Sequence, residues 1–444
     1  MLATVNGSNQ ATPSLKRAIG PWLLFAFVLG DVLGGGIYVL VGQVAGEVGG
    51  AAWLAFLVAL ALASLTAASY AHLAARFPFA GGASLYVREA SGSGFLAFMA
   101  GFAVICSGIT SAATLARAFA GDYLDALVGS PGVWVAVAFL VALTALNLRG
   151  ISESVKTNVL LTAVELGGLL IVVAAGLAAL ASGDADPGRA MEVDGSGGVG
   201  AALAAVLGGS ALAFYALIGF EDSANVAEET TEQRHAYPRA LLGGLAVAGV
   251  LYLLIAALGA AVVPPTDLRE STAPLLEIVA ASPISVPSEA FAVIGLIAIT
   301  NGALINLIMA SRLLYGMSRE RIVPRGLSRL LPGRRTPVNA IAATAAAAIA
   351  LALTGDLATL ARTTVALLLF VFIAVNVSAI ALRRTPSERP AMHLPTVVPV
   401  LGALGALAML TQIDGATWLR ALALLGLGLV AWFGTRLAAR VRGG

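Results

Sequence analysis

Apolar runs of about twenty residues, each long enough to cross a roughly 30 Å hydrocarbon core, recur along nearly the whole of this chain of 444 residues. Lipid offers no hydrogen bonds to replace those of the backbone, so such runs must be helical unless they close into a barrel. We count about twelve. Their approximate cores are 20–45, 51–75, 95–120, 131–148, 157–180, 200–227, 238–262, 286–315, 338–354, 359–382, 396–411 and 416–437. Composition agrees: 59% of residues are hydrophobic and 11% charged, with a mean hydropathy of +0.92, far from a soluble domain. Most connections are too short to hold a separate soluble unit. The expected fold class is an all-α polytopic membrane protein.

The first nineteen residues are polar, with no apolar region followed by a cleavage site, so the first run is expected to be retained as a span. With the N-terminus inside, the inner ends and loops collect Lys16, Arg17, Arg76, Arg88, Arg149, Lys156, Arg234, Arg239, the arginines between 319 and 335, Arg383, Arg384, Arg389 and the C-terminal Arg436, Arg440 and Arg442. The outer loops hold only Arg189, Arg269, Arg362 and Arg420. An even number of spans with both termini cytoplasmic satisfies the positive-inside rule. The arginine-rich stretch 312–335 is then an ordinary inner loop, and no nucleic-acid partner is expected. Cys106 is the single cysteine, and His72, His235 and His393 show no ligand spacing, so neither a disulfide, a metal site nor a cofactor is expected.

Two spans break the pattern. "GDVLGGGIYVL" (30–40) places Asp31 and then Gly34, Gly35 and Gly36 within the first span. An interrupted helix is tolerable in a membrane only where it faces protein or a water-filled cavity. Amides freed at the start of a second half-helix suit an anion such as a carboxylate, and carbonyls freed near Asp31 to Leu33 suit a cation or ammonium group. Close helix packing through Gly30 and Gly34 explains this stretch equally well. The sixth span, "GGSALAFYALIGFEDSANVAEET" (208–230), sets Glu221 and Asp222 side by side with Asn225 one turn on. An unbroken helix over 200–228 would rise about 42 Å, longer than the core, so a break is expected around Ile218 to Phe220. If spans one to five and six to ten are repeats, five being odd, the second copy enters from the opposite side, and the site lies at the midplane of an inverted repeat.

The chain resembles the amino acid-polyamine-organocation superfamily of transporters. The resemblance rests on Gly34, Gly36, Ile37 and Tyr38, matching a Gly-x-Gly-Ile-aromatic pattern, and on "FPFAGGASLYVREASG" (77–92), "IGFEDSANVAEET" (218–230), "YPRALLGG" (237–244) and "INLIMASRLLYGMSRE" (305–320). It implies a LeuT-type fold of 5+5 inverted repeats with helices 1 and 6 discontinuous, in the cytoplasmic membrane. The units would be a tail at 1–19, a first repeat at 20–180, a second at 200–382, two further helices at 396–437 and a tail at 438–444. It further implies secondary active transport by alternating access. The substrate carboxylate would lie on amides of Gly34, Gly35 and Gly36, beside Ile37. Its amino group would meet carbonyls near Ala216, Leu217, Ile218 and Gly219, with Phe220 placed to gate.

The chain departs from that pattern at acidic positions. Glu165 stands where some proton-coupled relatives have a lysine, Asp31 where a small residue is common, and Glu221 at a usual aspartate, with Asp222 added. By helical rise Glu165 lies about 12 Å inside its span and Asp31 about 16 Å inside. Asp31 and Glu165 are expected to exchange protons, so the coupling ion is H⁺, with Na⁺ open as an alternative. Glu221, joined by Asp222, Asn225 and Asn301, is expected to tune the site, toward amines or cationic substrates in the case of the acids. Arg117 is expected to snorkel outward, and Glu228 and Glu229 to pair with Arg234 and Arg239. Asn306 fits a cavity lining or an interhelical bond equally. The partners expected are therefore an amino acid or amine and the lipid bilayer, and the activity is transport, not enzymatic. An exchanger is the alternative. A channel lacks a symmetric pore, and an intramembrane enzyme lacks a nucleophile-base pair or metal cluster.

Overall fold

A computed structural model describes residues 19–77, 79, 81–129, 132–149, 155–193, 198–225, 227, 230–231, 233–319, 322–331, 336–383 and 392–443. Apart from one isolated bridge between Ile19 and Thr230, the regular structure among these residues is helical. In chain order the helices are α1 (Pro21–Leu33), α2 (Gly35–Val48), α3 (Ala52–Arg76), α4 (Gly82–Ser91), α5 (Gly94–Phe119), α6 (Asp122–Val128), α7 (Val133–Arg149), α8 (Val155–Ser182) and α9 (Val199–Ala216). They continue as α10 (Gln233–Val262), α11 (Pro265–Glu270), α12 (Pro274–Ala280), α13 (Ser288–Arg319), α14 (Val338–Thr354), α15 (Leu357–Leu382), α16 (Val397–Leu410) and α17 (Gly415–Gly443). Among the described residues, nine helical segments are long and apolar enough to cross a membrane, the first being α1 with α2. Three shorter apolar helices, α7, α14 and α16, accompany them. Helix α17 continues to Gly443, through the stretch read from sequence as a tail from 438. Basic residues favour a helix C-terminus, and Arg436, Arg440 and Arg442 lie there.

Helix α3 packs against α10, α5 against α13, and α7 against α14. Helix α1 lies on α8 and α10, while α9 lies on α15 and α3. Helix α5 also meets α15, and α13 meets α8. Lipid gives helices no hydrophobic reason to associate, so small residues and polar pairs carry these contacts. A Cβ at Gly30 would overlap Thr162 Oγ1, which sets how closely α1 approaches α8. Between α3 and α15, Ser69 Oγ donates to Asn376 Oδ1 at 2.7 Å, and Asn376 Nδ2 donates to Thr66 Oγ1 at 3.1 Å. Between α7 and α13, Asn147 Nδ2 donates to Ser311 Oγ at 3.3 Å.

Side-chain caps mark the starts of α15 and α17: Asp356 accepts from Thr359 N and Asp414 from Thr417 N, both at 2.9 Å. Arg362 pairs with Glu47 and, at 3.6 Å, with Asp414, joining the ends of α2, α15 and α17. Burial pushes the Asp356 and Asp414 carboxyls up. The N–H and hydroxyl groups of Thr359 and Thr417, with Arg420 and Arg362 nearby, outweigh it and hold both below the ordinary carboxylate value. Stability from such groups is present above their unfolded value, about pH 4, and is lost as pH falls through the lowered folded value.

The thermal midpoint of the purified chain is therefore expected to fall as pH drops below about 4, less steeply in Asp414→Asn, as read by a melting series across pH. Gly30→Val is expected to cost about 1–3 kcal/mol by overpacking, with Thr162→Ala recovering part of it. Gly316→Ala, inside α13 where a Cβ meets nothing within 4 Å, is expected to raise the midpoint slightly in the same assay, because alanine loses less backbone freedom than glycine in a helix.

Candidate functional site

Helix α1 ends at Leu33 and α2 begins at Gly35, so the first apolar segment is interrupted at Gly34, whose φ of −37° and ψ of −174° leave the helical region. Helix α9 ends at Ala216, and the chain turns through 217–221 before one 3₁₀ turn, Asp222–Asn225. The two interruptions abut. At Gly219 φ is +121°, and a Cβ there would stand 2.5 Å from the carbonyl oxygen of Asp31. Only glycine takes that conformation at that distance without strain. A Cβ at Gly35 would lie 2.9 Å from Ile299 Cα of α13, and one at Gly36 2.9 Å from Ala216 Cα of α9. The glycines thus seat the start of α2 directly against the backbones of α13 and α9.

Around the two interruptions the helices line a narrow cavity. Of the residues singled out from sequence, Asp31, Gly34, Gly35, Gly36, Ala216, Ile218, Gly219, Glu221, Asp222 and Asn301 line it. Ile37, Leu217, Phe220 and Glu165 do not. Ile37 and Leu217 are buried in the apolar core. Phe220, expected to gate, stacks on Phe372 with ring centroids 5.4 Å apart and meets Tyr70 edge-on at 5.9 Å. The turn at Gly219 directs it into this aromatic cluster between α3 and α15. Glu165 is buried on α8 behind the wall, where Asn301 Nδ2 donates to its Oε1 at 3.0 Å. The side chains of Asn225, Glu228, Glu229 and Arg234 lie outside the described residues.

Sequence reasoning left out the opposite wall: Ser107, Gly108 and Ser111 of α5, Tyr215 of α9, Met309 and Leu313 of α13, and Thr364 of α15, while Asn306, left open, also lines the cavity. Tyr215 and Ser111 hydroxyls lie 2.8 Å apart, tying α9 to α5 beside Gly36. A weak signal existed in "CSGITS" (106–111), small polar residues inside an apolar helix. Beyond Glu221 and Asp222 lies a smaller chamber lined by Tyr70, Gly81, Gly82 and Ser84, so the acidic pair stands where the two spaces adjoin.

Orphan backbone groups at the interruptions find partners in side chains. Glu221 Oε2 accepts from Gly219 N at 2.9 Å. Tyr252 Oη donates to the Val32 carbonyl, at the end of α1, at 2.7 Å. Inside the helices, the Glu165 carbonyl of α8 also accepts from Tyr38 Oη at 2.6 Å, and the Tyr38 carbonyl of α2 from Tyr123 Oη at 2.9 Å. The first amides of α2 have no partner within their own helix and carry its positive dipole end. One wall therefore suits an anionic group, and carboxylates at Asp31, Glu221 and Asp222 suit a cationic one.

The family model for amino acid permeases matches residues 19–420. The chain belongs to the amino acid permease family. This permease is 31% identical over 96% of its length to an uncharacterised transporter of Mycobacterium tuberculosis, covering 93% of that protein. It is 26% identical over 98% of its length to a branched-chain amino acid permease of Bacillus subtilis, covering 95% of it. It is 28% identical over 86% to a vacuolar cationic amino acid transporter of Arabidopsis thaliana, covering 65% of that longer chain. The sequence-based assignment to amino acid permeases is thereby established, as is a multi-span membrane protein.

Because Gly219 combines a left-handed φ with contact to Asp31, Gly219→Ala is expected to separate the two interruptions. Substrate uptake into proteoliposomes should fall at least about tenfold, with the detergent-solubilised protein still monodisperse; unimpaired uptake would show that the contact is dispensable.

Proposed function

We propose that this permease is a secondary active transporter of amino acids, working by alternating access and driven by protons across the cytoplasmic membrane. The observation that carries the reading is the meeting of two interrupted helical segments at one cavity. The amide-rich start of α2 faces it, and so do the carboxylates of Asp31, Glu221 and Asp222. A zwitterion finds both poles matched there: its carboxylate on the Gly35 and Gly36 amides, its ammonium group toward Asp31 and the carbonyls at 216–219.

The helix neighbours support a twelve-span, 5+5 inverted arrangement with spans 1 and 6 discontinuous. Exchanging each of the first five spans with its counterpart in the second five turns the α1–α8 packing into α9–α15, α1–α10 into α9–α3, and α5–α15 into α13–α8. All of these pairs are neighbours. The pairs α3–α10, α5–α13 and α7–α14 exchange into themselves and are neighbours too. Repeats at 20–180 and 200–382, followed by 396–437, accord with this pattern, and the arginine distribution supports cytoplasmic termini.

For coupling, Asp31 lies in the cavity wall, and Glu165 is reached from the cavity through Asn301. Protonating Glu165 replaces a charged acceptor by a neutral one under Asn301, so the proton is felt at the site without touching the substrate. A second reading is favoured by one specific observation: the cavity lining carries three carboxylates and, among the described residues, no lysine or arginine. That charge balance fits a cationic amino acid or an amine, moved by exchange.

The test is uptake of a labelled panel of neutral amino acids, cationic amino acids and polyamines into sodium-free proteoliposomes, with and without an inward proton gradient. Gradient-driven accumulation of amino acids is expected. Equilibration without accumulation supports exchange or sodium coupling, and no movement of any compound overturns the amino-acid reading. In the same assay Glu165→Gln is expected to abolish the pH dependence of transport and to leave substrate binding within about threefold of the parent. Retained pH dependence removes Glu165 from the coupling step.

A further inference from the structure

A second cavity, at the opposite end of α1 from Asp31, lies between the starts of α1 and α10. It is lined by Gly20, Pro21, Trp22, Leu23, Phe25 and, from α10, by Ala236, Arg239 and Ala240. Trp22 is 80% exposed and meets Phe25 edge-on, with ring centroids 5.6 Å apart. Arg239 is exposed at the same groove. Helix α1 starts without a side-chain cap and without an acidic residue in its first turn. Pro21 has no N–H, and the amides of Trp22 and Leu23 have no acceptor within their own helix.

We propose that this groove binds one anionic phospholipid of the inner leaflet, its phosphate on Arg239 and the first amides of α1, its acyl chain along Trp22 and Phe25. Three independent features of the groove converge on that chemistry. An exposed guanidinium matches a phosphate in geometry and charge. An uncapped helix start adds N–H donors and positive dipole. An exposed tryptophan beside a phenylalanine is the side-chain set of the headgroup level, with an apolar slot below it. A zwitterionic lipid would bring a choline or ethanolamine cation against Arg239, so the groove discriminates by charge. The occupant would touch α1, whose far end carries Asp31 and the first interruption, and would hold that helix against α10. The leaflet assignment rests on the cytoplasmic orientation proposed above; the binding chemistry does not.

The test titrates the delipidated full-length protein with brominated phosphatidylglycerol and, separately, brominated phosphatidylcholine of the same acyl chains, following quenching of tryptophan fluorescence. Phosphatidylglycerol is expected to half-saturate at roughly fivefold lower concentration. Arg239→Gln should erase that preference, Arg239→Lys should keep most of it, and Trp22→Phe should remove the part of the quenching that shows the preference, leaving that of the other four tryptophans, exposed Trp134 among them. Equal affinity for both lipids overturns the proposal. So does a preference that survives Arg239→Gln, or one abolished by millimolar inorganic phosphate, which would make the groove a site for a soluble anion. The readout is binding alone, so a failure here and a failure of the transport reading are recorded by different experiments.

Discussion

A backbone that leaves the helix inside a bilayer must find its hydrogen bonds in protein, and this fold meets that demand by setting its two interruptions against each other. The carbonyl of Asp31 touches Gly219, the Glu221 carboxylate accepts the Gly219 amide, and Tyr252 donates to the Val32 carbonyl. The Tyr252 hydroxyl of α10 does for the Val32 carbonyl what water does in a soluble loop. The first amides of α2 have no partner within their own helix, and Gly34, Gly35 and Gly36 line the cavity. The site thus follows from the same rule that forbids irregular structure elsewhere in the bundle.

Close approach is the second requirement, and it explains why the glycines cluster where they do. In "GDVLGGG" Gly30 serves packing, against Thr162, whereas Gly35 and Gly36 let α2 reach the backbones of α13 and α9. Helix packing and a break, which the sequence left level, both occur: packing at Gly30, Gly35 and Gly36, and the break at Gly34.

Apolar run length made the helices legible in the sequence, and paired irregular spans made the cavity's floor legible. Asp31, the glycines, Gly219, Glu221 and Asp222 were readable because each violates what a membrane helix tolerates. The opposite wall was not. Ser107, Ser111, Thr364 and Met309 are acceptable anywhere in a membrane helix, and only the packing of α5, α13 and α15 brings them to one space. Phe220 illustrates the reverse failure: a side chain adjacent in sequence to the site is carried away from it by the backbone turn at Gly219.

Glu165 joins these arguments. It does not line the cavity, yet its carboxylate holds Asn301, which does, and its carbonyl accepts Tyr38, which lies two residues beyond Gly36. One residue of α8 is therefore bonded to α13 on one side and to α2 on the other, and the start of α2 is itself seated against α13. A change of charge at Glu165 alters the Asn301 bond directly, whereas the Tyr38 bond goes to the backbone and persists. The Asn301 bond thus depends on the state of the Glu165 carboxyl, and the Tyr38 bond fixes α2 relative to α8.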